Sequence, residues 1–121
     1  MSLEKNLEKE SLEMRKLQSE YSKLIETSQQ LSSQLQENEL VQKEFSLVGS
    51  DAKIYKMIGP VLVPQDKEEA GLNVEKRIEY IKAELTRVEA RIKELATLQE
   101  KKSLEIYNLQ MKFKEQATIS K

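Results

Sequence analysis

The sequence predicts a mainly α protein: a long antiparallel two-helix coiled coil joined by one β-hairpin. Three observations carry that prediction. Heptad stripes of apolar residues run along both ends of the 121-residue chain. Between them lies a short β-branched and aromatic segment around a Gly-Pro pair. Charged residues make up 34% of the chain and Phe, Trp and Tyr together only 5%, which suits long solvated helices better than a thick globular core. A chain of this length holds one domain, expected over residues 1–121.

The first helix is expected over about residues 3–47. Leu3, Leu17, Leu24, Leu31 and Phe45 fall in one heptad register, and Leu7, Met14, Tyr21 and Leu35 fall in the other. Nine of thirteen stripe positions are apolar, the exceptions being Glu10, Ser28, Asn38 and Gln42. Alternating steps of three and four keep them on one helical face. No Gly or Pro interrupts this span, which makes a helix roughly 60 Å long at about 1.5 Å per residue. Ser28 and Asn38 break the stripe with polar groups, which either fix the register or are tolerated gaps.

Gly49, Ser50 and Asp51 are a turn signal after that helix. The hairpin is expected over about 53–64, with strands near 53–58 and 61–64. Ile54, Tyr55, Ile58, Val61 and Val63 favour strand. Gly59-Pro60 separates the two runs, and Pro64 is read as the end of the second. Alternation puts Ile54, Lys56 and Ile58 on one face and Tyr55 and Met57 on the other.

The second helix is expected over about 67–116. Asp66 followed by Glu69 has the spacing of a capping box. Gly71 weakens an early start, since glycine inside a helix costs about 1 kcal/mol against alanine. Val74, Ile78, Ile81, Leu85, Val88, Ile92, Leu95, Ile106, Leu109 and Phe113 form the stripe, ten of thirteen positions, with Gln99, Lys102 and Gln116 as exceptions.

The two helices suit each other in charge. Residues 1–45 carry a net charge of -3, and residues 73–121 a net +3. Opposite nets favour pairing between the helices over self-pairing of either, although each exposed ion pair contributes little. A short connection that folds back makes the pair antiparallel, with both termini at one end and the hairpin at the other. A lone two-stranded hairpin is marginal in water, and its edges are open. It is therefore expected to join hairpins of other chains. The alternative is a hairpin folded onto its own coiled coil.

Three segments, ENELVQKEFSLV at 37–48, IYKMIGPVLVPQD at 54–66 and VEKRIEYIKAEL at 74–85, resemble a beta-type prefoldin subunit. The GPVLV run is the most distinctive piece, and the arrangement covers the whole chain. The resemblance implies a prefoldin-like fold and a place in a hexamer of two alpha-type and four beta-type subunits. Its hairpins assemble into β-barrels, and its coiled coils hang as tentacles. It further implies unfolded client proteins, notably actin and tubulin chains, held at the coiled-coil tips without nucleotide. The clients pass to the cytosolic group II chaperonin.

Candidate client-binding residues lie near the free ends: Leu3, Leu7, Leu12 and Met14 on the first helix, and Leu104, Ile106, Tyr107, Leu109, Met111, Phe113 and Ile119 on the second. Glu10, Gln99 and Lys102 break the stripes there and are expected to loosen the packing. Leu3, Leu7, Met14, Ile106, Leu109 and Phe113 lie on the seam, where coiled-coil core is the plainer reading. Leu12, Leu104, Tyr107 and Met111 lie off it. Met suits a promiscuous surface because its thioether adapts to many shapes. The assembly set is Ile54, Tyr55, Met57, Ile58, Val61, Leu62 and Val63.

Other function classes find little support. The chain has no His and no Cys, which removes the usual zinc ligands and a histidine base. No phosphate loop or nucleophile–base pair is present, so neither an enzyme nor a cofactor site is expected. A net charge of -1 argues against general nucleic-acid affinity. No apolar run approaches the twenty or so residues that span a bilayer. The acidic, polar start MSLEKNLEKE does not read as a secretory leader, so a soluble, intracellular chain is expected, and the resemblance implies a cytoplasmic one. The rival to a co-chaperone is a coiled-coil scaffold or tether that binds folded partners.

Overall fold

Ser2 opens the first helix. Its hydroxyl oxygen accepts the Lys5 N–H at 3.1 Å, satisfying one of the amides that a helix start leaves unpaired. The computed structural model describes residues 2–49 and 53–119. Its elements are α1 (Leu3–Leu47), β1 (Ile54–Ile58), β2 (Val61–Gln65) and α2 (Lys67–Ile119). Two long helices with one antiparallel hairpin between them is the predicted fold class.

Within α1, Asn38 donates its side-chain amide to the Gln34 carbonyl at 2.7 Å. That bond lies inside its own helix, so Asn38 does not set register by reaching across the seam. The last turn of α1 has no basic residue. Lys67 supplies one from the start of α2, donating its ammonium to the Val48 carbonyl at 2.7 Å and the Gly49 carbonyl at 3.3 Å. The negative end of the α1 dipole favours a cation there. Of the turn signal at 49–51, positions 50 and 51 lie outside the described residues.

The hairpin pairs Ile58 with Val61 next to the loop and Ile54 with Gln65 at its root. Gly59 has φ 59°, and proline locks the next φ near -65°. A positive then a negative φ is the type II′ turn, whose twist matches the strands. Adding a Cβ at Gly59 meets no atom within 4 Å, so only the backbone conformation opposes it. Gly59→Ala is therefore expected to cost about 1–2 kcal/mol of hairpin stability. Hydrogen exchange at the β1 and β2 amides measures the loss. Equal protection in wild type and Gly59→Ala would refute the assigned turn.

The second strand does not end at Pro64 as the sequence reading had it, but continues to Gln65. Residues flanking a two-residue loop form a hydrogen-bonded pair, and such pairs alternate with non-bonded ones. Pro64 faces Tyr55 in a non-bonded pair, so its missing N–H leaves no gap in the ladder.

Asp66 caps α2. Its carboxylate accepts the Glu68 N–H at 3.2 Å and its carbonyl the Ala70 N–H at 2.9 Å. The early start holds despite Gly71, which sits in the second turn of the helix.

The chain divides into two compact units. The hairpin unit, Ser28–Arg87, buries Ala70, Val74, Ile78, Ile81 and Leu85, all from α2. The terminal unit, Met1–Thr27 with Val88–Lys121, buries Val88 and Leu95. No α1 side chain is fully buried, yet twelve of its thirteen stripe positions are half-buried and only Gln42 is exposed. The buried α2 residues are mostly short and β-branched.

Candidate functional site

In the terminal unit the polar breaks in the two stripes meet. The Lys102 ammonium donates to Glu10 at 2.6 Å, to Glu13 at 2.8 Å and to Glu105 at 3.4 Å. The Lys102 and Glu10 side chains are 17% and 20% exposed. In the sequence, Glu10 and Lys102 are stripe breaks expected to loosen the packing. They instead form a cross-helix clamp, because the antiparallel arrangement brings a cation opposite two carboxylates. No described buried side-chain N or O lacks a hydrogen-bond partner.

The clamp shifts its own titrations. Bonds to Glu10 and then Glu13 raise the Lys102 pKa against the pull of desolvation. The bond from Lys102 lowers the Glu10 pKa. Glu10 therefore contributes stability above the ordinary carboxylate range, lost as pH falls through its lowered pKa. Lys102 contributes below the ordinary lysine range, and that is lost only as pH rises through its raised pKa. The clamp is intact at neutral pH.

One level nearer the middle of the chain, Arg91 grips Glu20 through two parallel bonds of 3.0 Å. It also meets Glu94 at 3.0 Å. Such a fork fixes geometry as well as charge.

The terminal apolar candidates fall into two groups. Leu3, Leu7, Met14, Ile106 and Leu109 are half-buried along the seam. Leu12, Leu104, Tyr107, Met111 and Phe113 are exposed, Leu104 at 61% and Tyr107 at 57%. Leu104, Tyr107 and Met111 stand at steps of three and four on α2, so they form one row on the helix surface. Phe113, although on the stripe, is 43% exposed near the helix end. Leu12 joins no row, since its neighbours at three and four positions are Glu8, Lys9, Arg15 and Lys16. The Ile119 side chain lies outside the described residues.

The hairpin is the second apolar surface. Tyr55, Met57, Ile58, Val61, Leu62 and Val63 are all exposed, Met57 at 70%, while Ile54 is half-buried. One face carries Lys56 and Gln65 among its apolar residues. The other carries Tyr55, Met57, Leu62 and Pro64 and no charge. Leu40, Leu47, Leu72 and Tyr80 are also exposed in the hairpin unit, and none is among the candidates the heptad pattern marks. They sit off the stripes, and listing the apolar residues outside each heptad seam finds them.

Among the described residues, no acidic, His or Cys group is arranged to hold a metal ion. No described helix is long and apolar enough to cross a membrane. What the arrangement offers is surface: an apolar row at the helix ends and an apolar hairpin.

Residues 2–113 match the family model described as prefoldin subunit. The chain belongs to the prefoldin subunit family. Prefoldin subunit 6 of Arabidopsis thaliana is 44% identical over 91% of this chain and 85% of that protein. Prefoldin subunit 6 of Homo sapiens is 35% identical over 92% and 86%. The crystal structure of the prefoldin beta subunit from Thermococcus strain KS-1 superposes with a TM-score of 0.77. It covers 85% of this chain and 90% of that one at 19% identity, a likeness of fold. Prefoldin subunits are co-chaperones that form complexes with one another, so membership implies a chaperone-cofactor role for this chain. The resemblance seen around GPVLV is thus one of family.

Proposed function

We propose that this chain is a subunit of a hexameric, ATP-independent co-chaperone of the cytoplasm. Its helix ends hold unfolded proteins, such as nascent actin and tubulin, and deliver them to the cytosolic group II chaperonin. Its hairpin joins it to alpha-type and beta-type prefoldin subunits. The observation that carries the reading is the exposed row Leu104, Tyr107 and Met111, with Phe113 beyond it, at the free end of a prefoldin helix. An apolar row with an adaptable methionine suits chains of no fixed shape.

The test is suppression of aggregation of chemically unfolded actin, without ATP, by the assembled complex. Replacing Leu104, Tyr107 and Met111 together by Ser should leave the hexameric mass unchanged. At about 1 kcal/mol lost per truncated contact, client affinity should fall about a hundredfold. Protection equal to wild type would remove these residues from the client site and leave a scaffold that binds folded partners as the better account.

A further inference from the structure

The clamp divides the terminal unit into two zones of different packing. On one side, α2 buries Val88 and Leu95 to 1% and 0% exposure. On the other, no described α2 side chain is buried, and every one from Met111 to Thr118 is exposed. Glu10 and Lys102 stand between, on facing stripe positions and joined at 2.6 Å. The Lys102 ammonium makes two short charge-assisted hydrogen bonds across the pair, to Glu10 and Glu13, and both must break before the helices separate at that level. Beyond it, the described apolar seam residues are at most half-buried, which opposes fraying less than a buried seam does. The charge balance reinforces this, because three carboxylates share one ammonium. Removing the ammonium leaves Glu10, Glu13 and Glu105 to repel one another.

We infer that the Lys102 clamp is a latch that sets how far the two helix ends separate. Outside it, residues 3–9 and 103–118 open and release Leu7, Ile106, Leu109 and Phe113 from the seam. Inside it, residues 11–27 and 88–101 stay paired. The latch thereby fixes how much apolar surface the helix ends offer. Its bearing on clients rests on the proposed client reading, whereas its effect on the helices does not.

Hydrogen exchange on the full chain in the assembled complex tests it, with wild type, Lys102→Leu and the double variant Glu10→Leu/Lys102→Leu. In wild type, amides of 3–9 and 103–113 should exchange at least tenfold faster than those of 12–17 and 96–100. Lys102→Leu should move the boundary inward, raising exchange at 12–17 about tenfold. The double variant continues the apolar stripe, which replaces the ion pair without leaving Glu10 unpaired. It should move the boundary outward and slow exchange at 3–9 and 103–109. A boundary that stays in place in both variants overturns the latch and reduces the end mobility to ordinary helix fraying. If the boundary moves in both directions while suppression of actin aggregation stays constant, the latch stands and the client reading fails.

Discussion

Leu95→Ala is expected to destabilise the protein by about 3 kcal/mol, the largest loss from any single truncation in the terminal unit. Leu95 is fully buried, with Val88 the only other side chain below 2% exposure among the described residues. Truncating a buried leucine costs the transfer free energy of the lost atoms plus that of the cavity they leave, about 2–5 kcal/mol in all. Two helices close over a cavity more easily than a thick core does, which places the value in the lower half of that range. Leu24→Ala on α1 removes a side chain that is already half wet, and about half the loss is expected. Leu12→Ala, off the seam and 52% exposed, should change stability by less than about 0.5 kcal/mol. Urea denaturation at one fixed protein concentration ranks the three, since assembly makes the midpoint depend on concentration. A Leu12→Ala loss as large as that of Leu95→Ala would contradict the burial pattern.

The fold was legible because a heptad repeat and an alternating strand are direct readouts of helix and sheet geometry. Six stripe positions chosen from the sequence, Val74, Ile78, Ile81, Leu85, Val88 and Leu95, are buried, whereas Gln42, Phe113 and Gln116 stay exposed and the buried Ala70 lies off the stripe. What the sequence hid depends on register across the pair. Glu10 and Lys102 read as defects one helix at a time, and only the antiparallel alignment turns two defects into one clamp. Asn38 is ambiguous in sequence for a related reason, because a polar seam residue either reaches across or bonds its own helix, and the local chain does not choose. Pro64 points to a strand end in the sequence because proline cannot donate to the ladder. Whether it ends a strand depends on which pairs of the ladder are bonded, and the Gly59-Pro60 loop sets that.

Making the uncharged hairpin face polar is expected to abolish assembly while sparing the helices. Met57 and Leu62 face each other across the strands and are 70% and 59% exposed. Met57→Asp with Leu62→Asp would place like charges opposite each other and damage the hairpin itself, so that variant would not isolate assembly. Met57→Lys with Leu62→Glu avoids this, because opposite charges across a strand pair support the hairpin. In a free chain the new side chains are hydrated and cost little. Against the apolar face of another hairpin they must lose that hydration, at several kcal/mol per ion before their mutual attraction is counted. A net loss of about 4 kcal/mol weakens association roughly a thousandfold, enough to dissolve a hexamer at micromolar concentration. Native mass of the chain mixed with an alpha-type prefoldin subunit reads the result directly, and circular dichroism checks that the helices persist. Lys56→Glu, on the opposite and already charged face, should leave the mass unchanged. A hexamer that survives Met57→Lys/Leu62→Glu but falls apart with Lys56→Glu would reverse the assignment of the two faces. One that survives both would place the assembly contacts outside the hairpin, with exposed Leu40, Leu47, Leu72 and Tyr80 as the next surface to alter.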